Sequence, residues 1–233
     1  MKYLASLLLG VMVGVATFFA LLYYNPLTSH NKLSPLSVSD NDLITLNYSA
    51  VAADALIYTN NGESRVAPHP SKVQQLWERP IRQSDVVATT LTDSRGQVVG
   101  LGVKFSSDSE KTKLLNSELI VDSVWHIYLP GQGTLFVEQQ ENYWAYLREI
   151  VIPAYWNSGD NWRGIWNGSI TSGPGALGTA RVVGGSGRFS GLVTEGVESL
   201  AAKAFSVKQG PVAMTAEVMI ELPRPESESN PDL

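Results

Sequence analysis

The sequence contains no cysteine. This absence excludes disulfides, thiolate zinc sites, iron–sulfur clusters and cysteine nucleophiles. Histidine is scarce too: His30, His69 and His126 are the 3 in the chain. None of them has the His-x-His or Glu-x-x-His spacing of a recognisable metal site. We therefore predict neither a metal nor a cofactor.

Basic residues are in the minority, with 17 Lys and Arg against 22 Asp and Glu and a net charge of −5. Proteins that bind nucleic acid neutralise phosphates with a basic face. The charge balance therefore argues against a nucleic-acid partner.

Charged residues are also missing from residues 3–24, which are mostly Leu, Val, Ala, Phe, Gly and Met. A helix of roughly 20 apolar residues crosses the hydrocarbon core of a bilayer. Tyr23 and Tyr24 stand at the far end, where aromatic rings favour the membrane interface, and Pro26 ends the helix. We predict a membrane anchor over residues 1–25 that contacts the lipid bilayer through residues 3–24.

A cleaved signal peptide is the alternative interpretation of this segment. It would have a shorter apolar core and a small residue two positions before the cleavage site, which Phe18-Phe19-Ala20 lacks. Lys2 flanks the inner end, and positive charge stays in the cytoplasm. We therefore expect a single-pass protein with a cytoplasmic N-terminus and an extracytoplasmic domain, and the periplasmic side of a bacterial inner membrane is its natural setting.

The rest of the chain divides by composition. Residues 26–41 are rich in Ser, Asn, Leu and Pro without a clear period, which is typical of a tether. Residues 42–222 are long enough for one domain. Residues 223–233 carry Pro, Glu, Ser and Asn, and we predict a disordered tail there.

Period-two alternation of apolar side chains recurs within residues 42–222 and predicts strands. Val99 to Phe105 alternates, and Asp93-Ser94-Arg95-Gly96 joins it to an earlier strand in a hairpin. Leu119–Leu129 predicts a longer strand, followed by a glycine turn and a partner strand. The last strand is the clearest, and these residues share one predicted inward face: Val212, Met214, Ala216, Val218, Ile220 and Leu222.

Two segments favour helices instead. Ser71 caps a short predicted helix that contains Val73, Leu76 and Trp77 and ends at Pro80. Glu141 to Ile152 has apolar residues at helical spacing and is followed by Pro153. The run Ile150-Val151-Ile152 is equally compatible with a strand.

Many strands, glycine-rich turns and few helices predict a mainly β domain. We expect a single antiparallel β-barrel, because the helices are too few to cover an open sheet. The 20 glycines fit this prediction, since curved sheets need bulges and close backbone approaches.

The most distinctive stretch runs from Gly178 to Gly191, GTARVVGGSGRFSG. It predicts a strand, a turn at Gly184–Gly187, and a second strand that begins with an inward Phe189. This pattern resembles the hairpin of the allene oxide cyclase barrel-like and dirigent-like proteins over the last third of the chain. The resemblance implies a calycin-like β-barrel of eight antiparallel strands with an apolar interior, and it identifies no catalytic residue.

Aromatic residues are concentrated after the predicted second helix. The tryptophans are Trp144, Trp156, Trp162 and Trp166, and Tyr143, Tyr146 and Tyr155 lie among them. One interpretation is an aromatic pocket or barrel mouth, to which Phe189 would contribute. The other is that these large rings fill the core.

Two carboxylate arrangements are candidates for catalysis. Glu195 shares a predicted strand face with Phe189, Val193 and Val197, so an inward face would make it a buried acid or ligand anchor, whereas a rim position would not. Asp122, Ser123 and His126 have the residue types of a hydrolytic triad. Ser123, however, points to the opposite face of the strand from the other two.

These patterns leave several function classes open. We expect a binding module that holds a small apolar ligand near the membrane, since small barrels do so without any catalytic constellation. The alternatives are a cyclase- or isomerase-like enzyme with an apolar substrate, and a non-catalytic scaffold in the cell envelope.

Overall fold

The computed structural model describes residues 2–23, 36, 41–51, 57–58 and 84–223. Helix α1 covers Lys2–Tyr23, and helix α2 consists of three consecutive pieces, Trp144–Tyr146, Leu147–Val151 and Ile152–Trp156. A short 3-10 turn covers Leu114–Asn116. The strands are β1 Asp42–Ser49, β2 Ile57–Tyr58, β3 Ser84–Thr92, β4 Val98–Asp108, β5 Ile120–Leu129, β6 Gly133–Asn142, β7 Asn161–Ser169, β8 Thr171–Gly173, β9 Ala180–Gly187, β10 Val193–Ser206 and β11 Gly210–Leu222.

Helix α1 is long and apolar enough to cross a membrane. Its segment Tyr3–Leu21 has a mean hydropathy of 2.3, and none of that segment is buried inside the protein. The helix predicted for the start of the chain is therefore confirmed, and its length and composition suit a single membrane span.

The strands close into a ring, which confirms the predicted antiparallel barrel. The neighbours follow the order β1, β11, β10, β9, β6, β5, β4 and β3, and β1 pairs with β3 to complete the circuit. Among the described residues, β1 meets β3 at the pair Asn47–Thr92, and β2 pairs with β3 at Val87 and Ala88. The β3–β4 and β5–β6 hairpins lie at one end of the barrel, and α2 follows β6 at the other.

The wall between β6 and β10 is built in two parts. β9 pairs with both strands near the hairpin end, through Gly133–Glu138 of β6 and Val193–Gly196 of β10. Nearer α2, β8 pairs with β6 and β7 pairs with β10. The segment that follows α2 thus fills the wall where β9 ends.

Helix α2 differs from the helix predicted over Glu141 to Ile152. Glu141 and Asn142 are the last residues of β6, and the helix begins at Trp144 and runs through Pro153 to Trp156. Proline has no N–H to donate and its ring clashes with the carbonyl four residues earlier. The residues before Pro153, Leu147–Val151, form a π-helical turn rather than an α-helical one. Because π geometry changes the hydrogen-bond pattern next to the proline, the helix continues past it.

Strand β4 is confirmed, but Leu101 and Phe105 of its predicted apolar face point outward, whereas Val99 packs against the core. Leu101 and Phe105 are 37% and 49% exposed, whereas Gly102 and Lys104 are buried. A Cβ on Gly102 would lie 2.7 Å from Cζ3 of Trp125, so only glycine leaves room for that indole in the barrel.

The β9–β10 hairpin is confirmed, but its turn is not at Gly184–Gly187. β9 continues through those residues because they pair with Gly133–Leu135 of β6, and the chain reverses over residues 188–192. A Cβ on Gly184 would lie 1.5 Å from the backbone oxygen of Phe189, so the returning turn requires glycine there. Phe189 is buried in the core, as expected.

The last strand, β11, has the predicted alternation over most of its length. Ala216, Val218 and Ile220 are buried, and Met214 and Leu222 pack against the core. Val212 was predicted to face inward but is 47% exposed, because β10 and β11 shift register opposite this end of the strand. The helix predicted at Ser71–Pro80, nearly all of the tether and most of the predicted tail lie outside the described residues.

The register of β11 predicts different effects of one substitution at two positions. Val218→Asp places a charge where the side chain is 1% exposed, so the free energy of unfolding should fall by about 3 kcal/mol or more. Thr215→Asp, on the exposed face of the same strand, should change it by less than about 1 kcal/mol. Urea unfolding of the two variants measures the difference, and equal tolerance would contradict the register.

Candidate functional site

A charged cluster lies inside the barrel. Lys104 of β4 and the carboxylates Glu141 of β6 and Glu198 of β10 form its centre, and both carboxylates are fully buried. We call these three residues the ionic cluster. The side chains that donate hydrogen bonds to it are Tyr48, Ser123, Trp125, Gln139 and Tyr143.

Glu198 accepts hydrogen bonds from several strands at once. Lys104 Nζ lies 2.9 Å from its Oε1 and 3.1 Å from its Oε2, and Trp125 Nε1 donates to Oε2 at 3.0 Å. Tyr48 and Gln139 donate to the same carboxylate. A buried carboxylate is tolerated only when its oxygens are satisfied in this way.

Glu141 shares the same ammonium. Lys104 Nζ lies 2.6 Å from Glu141 Oε1, and Gln139 Nε2 donates to that oxygen at 2.8 Å. Ser123 also donates to Oε1, and the Tyr143 hydroxyl donates to Oε2 at 2.5 Å. One cation therefore serves two buried carboxylates.

The ionic cluster shifts the pKa values of Glu198 and Lys104. Burial by itself would raise the pKa of Glu198, but the Lys104 ammonium and the hydrogen bonds from Tyr48, Trp125 and Lys104 hold that pKa below its ordinary value. Burial would lower the pKa of Lys104, but Glu141 and Glu198 outweigh it and the pKa is raised. Glu198 is therefore ionised and Lys104 protonated at neutral pH.

The phenols beside the carboxylates stay protonated. Burial, followed by the charge of Glu198, raises the pKa of Tyr48 well above its ordinary value. Burial and then the charge of Glu141 raise the pKa of Tyr143 in the same way. Both hydroxyls therefore act as hydrogen-bond donors to the ionic cluster.

An aromatic cluster continues from Tyr143 toward α2. Tyr146 makes edge-to-face contacts with Tyr143, Trp166 and Phe205, at centroid distances of 6.3, 5.8 and 6.2 Å. We call these four residues the aromatic cluster. Tyr143 belongs to it by its ring and reaches the ionic cluster by its hydroxyl, so it links the two.

The aromatic cluster contains a buried hydroxyl without a hydrogen-bond partner among the described residues. Within the part of the chain that the structure describes, the buried Tyr146 hydroxyl has no partner, and neither does Trp144 Nε1 on the same helix. Burial raises the pKa of Tyr146, so its hydroxyl is neutral and can donate or accept. Buried polar atoms without partners are rare and call for an explanation.

The structure brings together some of the predicted aromatic residues. Trp166 belongs to the aromatic cluster, and its Nε1 donates to Glu149 Oε2 at 2.9 Å. Trp144 is buried and Trp162 packs against the core. Trp156 is 75% exposed and lies apart from these three, at the last turn of α2.

Glu195 is not the buried acid. It is half-buried on β10 and pairs across the strands with Arg181, which also pairs with Glu138 and lies 3.7 Å from its carboxylate. These charges form a row on the outer wall. Phe189 cannot fix the face of Glu195, because the turn at residues 188–192 does not preserve strand alternation.

The triad-like residues of β5 are separated as expected. His126 is exposed and stacks on Phe136 at 4.6 Å, on the outer face of the barrel. Ser123 is buried on the inner face and donates to Glu141. The two side chains therefore do not form a nucleophile–base pair.

Sequence reasoning missed the ionic cluster, although its signal was present. On β6 the inward face consists of Leu135, Val137, Gln139 and Glu141. The alternation that places Leu135 and Val137 inward therefore places the polar Gln139 and Glu141 inward as well. Glu198 likewise alternates with the buried Leu200 and Ala202. The sequence around Lys104 did not indicate burial, because Lys104 alternates with the apolar Val99, Leu101, Val103 and Phe105, and the apolar residues were expected to face the core.

Comparisons with known proteins give little support to any activity. No family model and no curated protein matches the chain. Two similar solved structures are a nonspecific heme-binding cyclase that catalyses [4 + 2] cycloaddition during neoabyssomicin biosynthesis and the Diels–Alderase AbmU from Streptomyces koyangensis. The first is 13% identical, with 91% of this chain and 83% of that chain covered and a TM-score of 0.38. The second is 11% identical, with 90% and 84% covered and a TM-score of 0.35.

Neither description names an allene oxide cyclase or a dirigent protein. At these TM-scores the likeness carries no conclusion about this chain, so its function has to be inferred from its own residues.

Removal of the shared cation should destabilise the barrel strongly. Lys104→Met leaves two buried carboxylates without a counter-charge, so the free energy of unfolding should fall by about 3–5 kcal/mol. Arg181→Met is the matched control, because it breaks the exposed pair with Glu138 and should cost less than about 1 kcal/mol. Urea unfolding measures both, and a Lys104→Met loss as small as the control would contradict the central role of the cluster.

The pKa shifts also predict a pH profile with two flanks. The pKa of Glu198 is lowered, so its contribution is present above an unfolded value of about 4.3 and is lost as the pH falls through the folded value. The pKa values of Lys104, Tyr48 and Tyr143 are raised, so their contributions are lost as the pH rises above about 10.

Thermal unfolding across this pH range should show maximal stability near neutrality. In Glu198→Gln the melting temperature should fall less steeply at acid pH, because the carboxylate that titrates there is gone. The fall in melting temperature at alkaline pH should remain. An acid flank of unchanged slope in this variant would show that other groups dominate it.

Proposed function

We propose that this protein is a membrane-anchored, extracytoplasmic β-barrel that binds a small, mostly apolar molecule carrying a hydrogen-bonding oxygen. The observation that carries the proposal is the buried Tyr146 hydroxyl, which lacks a partner among the described residues. Leaving a buried polar group unpaired costs about 1–3 kcal/mol. A ligand that offers an acceptor or donor to this hydroxyl would remove that cost.

The surroundings of Tyr146 define the class of molecule. The rings of Tyr143, Trp166 and Phe205 present apolar edges and faces to it. Binding sites for small molecules combine such apolar walls with a few placed polar groups. A flat or hydrocarbon-rich molecule with one oxygen function therefore fits better than a charged or sugar-like one.

The ionic cluster would act as the rigid support of this site. Its hydrogen bonds tie Tyr143 to Glu141, and Glu141 to Lys104, so the Tyr143 ring is fixed in position. A binding site gains affinity when its walls are held in place before the ligand arrives. The cluster's own satisfied hydrogen bonds favour this supporting role over direct ligand contact.

The anchor gives the proposed activity a location. Helix α1 would hold the barrel at a bilayer, where apolar molecules accumulate, and the positive charge of Lys2 favours the extracytoplasmic side for the barrel. A barrel in that position is suited to collecting or presenting a molecule of the membrane.

A cyclase- or isomerase-like enzyme is the second candidate, and Tyr143 is the observation that favours it. Its phenol keeps its proton beside Glu141, and its ring contacts Tyr146. A protonated phenol next to a bound carbonyl can donate a hydrogen bond that stabilises developing negative charge. A binder returns the same molecule that it takes up, whereas an enzyme returns an isomer.

Tyr146→Phe separates ligand binding from stability. Without ligand, the variant should be as stable as the wild type or more stable by about 1 kcal/mol, because the unmade hydrogen bond is gone. Its affinity for an oxygen-bearing apolar ligand should fall about 5- to 10-fold, which corresponds to about 1–1.4 kcal/mol. Native mass spectrometry of the purified full chain, with lipid extraction, identifies the ligand, and thermal shifts give relative affinities.

Tyr128→Phe is the control, because Tyr128 is 50% exposed at the hairpin end of β5, far from the aromatic cluster. If Tyr146→Phe retains the ligand as well as the wild type does, Tyr146 is not the polar contact. If no apolar molecule co-purifies and a panel of fatty acids and other apolar probes leaves the melting temperature unchanged, the binding proposal fails in favour of the envelope scaffold.

A further inference from the structure

Large hydrophobic side chains are exposed where α2 meets β7. Tyr155 and Trp156 end α2, and Ile165 lies on the outer face of β7; they are 61%, 75% and 86% exposed. The end of α2 packs against the start of β7, where Asn157 Nδ2 donates to the backbone oxygen of Asn161 at 2.9 Å. We call Tyr155, Trp156 and Ile165 the apolar rim.

The membrane anchor touches this rim. Tyr23 is the last residue of α1, and the centroid of its ring lies 5.8 Å from the ring centroid of Trp156, with an angle of 36° between the ring planes. The end of an apolar helix of this length coincides with the membrane–water interface, where Tyr and Trp rings are enriched. With α1 spanning the membrane as proposed, this contact would place Trp156 at the depth of the lipid head groups.

Chain connectivity does not force this contact. Asp42, where β1 begins, pairs with Leu222 at the opposite end of β11 from the β10–β11 turn. The residues between Tyr23 and Asp42 can extend to about 60 Å. The helix could thus lie far from Trp156 without straining the chain.

Basic side chains surround the rim. Arg163 is exposed on β7, Lys203 is exposed on β10 beside it, and Lys208 is exposed in the β10–β11 turn. The acids near the rim are Asp160, whose backbone oxygen accepts from Val207 N of the β10–β11 turn at 2.9 Å, and Glu149 of α2, which Arg148 neutralises at 2.6 Å. This local excess of positive charge contrasts with the chain's net charge of −5. Cations beside apolar rings are the combination that favours an anionic lipid surface.

We infer that the α2 end of the barrel docks on the surface of its own membrane, with the apolar rim inserted among anionic lipid head groups. The inference rests on the anchoring part of the proposed function and is independent of the ligand. It identifies the partner as a bilayer rather than a second protein, because the rim is continuous with the end of a membrane-spanning helix.

The absence of native cysteine makes a direct depth measurement possible. Ser158→Cys, in the exposed turn after Trp156, receives a nitroxide label, and Val98→Cys, 67% exposed at the β3–β4 hairpin, is the matched control at the far end. The full chain is reconstituted in phosphatidylcholine vesicles with and without phosphatidylglycerol. Collisions with lipid-soluble oxygen and with a water-soluble nickel chelate then report the depth of each label.

The label at residue 158 should lose most of its nickel accessibility and gain oxygen accessibility relative to the label at residue 98, and more so with phosphatidylglycerol. Adding Trp156→Ser should return it toward the values at residue 98. Equal nickel accessibility at the two sites would overturn the docking, and equal depth in both vesicle types would overturn the role of anionic lipid.

A carbonate wash separates this failure from failure of the anchor. Protein that stays in the membrane pellet but keeps a water-exposed label at residue 158 contradicts only the docking. Protein released by carbonate contradicts the anchor itself and the inference with it.

Discussion

One ammonium shared by two buried carboxylates is the constraint on which the barrel depends. Lys104 neutralises Glu141 and Glu198, both of which are fully buried. Because these residues belong to β4, β6 and β10, the pairs form only when strands distant in sequence reach one register. Apolar contacts tolerate small slips, whereas a buried charge without its partner does not. The ionic cluster therefore specifies the closed arrangement more sharply than the apolar core does.

The cluster also accounts for the unusual sidedness of β4. Turning Lys104 inward sends Leu101 and Phe105 outward, and the buried face is completed by Gly102, against which Trp125 packs. Trp125 in turn donates to Glu198, and Lys104 lies 5.4 Å from its ring. These outward residues are not isolated, because Leu101 pairs with Tyr128 and Phe105 pairs with Val124, which are 50% and 42% exposed, so they belong to a partly exposed apolar band on the outer wall.

Three features meet at the α2 end of the barrel. The π turns before Pro153 carry Ile150 into the core, Tyr146 of the helix packs against Trp166 in the aromatic cluster, and the helix ends at Tyr155 and Trp156 of the apolar rim. If this end rests on the bilayer, the unpaired Tyr146 hydroxyl lies on the membrane side of the barrel. The proposed ligand and the proposed docking surface then belong to one arrangement, in which an apolar molecule passes between lipid and barrel with little exposure to water.

Local patterns in the sequence determined the elements of this protein. An uncharged run at the start predicted α1, and period-two alternation predicted the hairpins and most of the last strand. These predictions succeed because a strand that is buried on one side has apolar residues at every second position. Only the tertiary structure decided how β4 is turned and which charges meet. The outward side chains of β4, the pairing of Lys104 with Glu141 and Glu198, and the position of Glu195 on the outer wall all depend on contacts between strands far apart in the chain. Hydropathy scores a lysine or glutamate as exposed, and only the closed barrel supplies the partners that make its burial favourable.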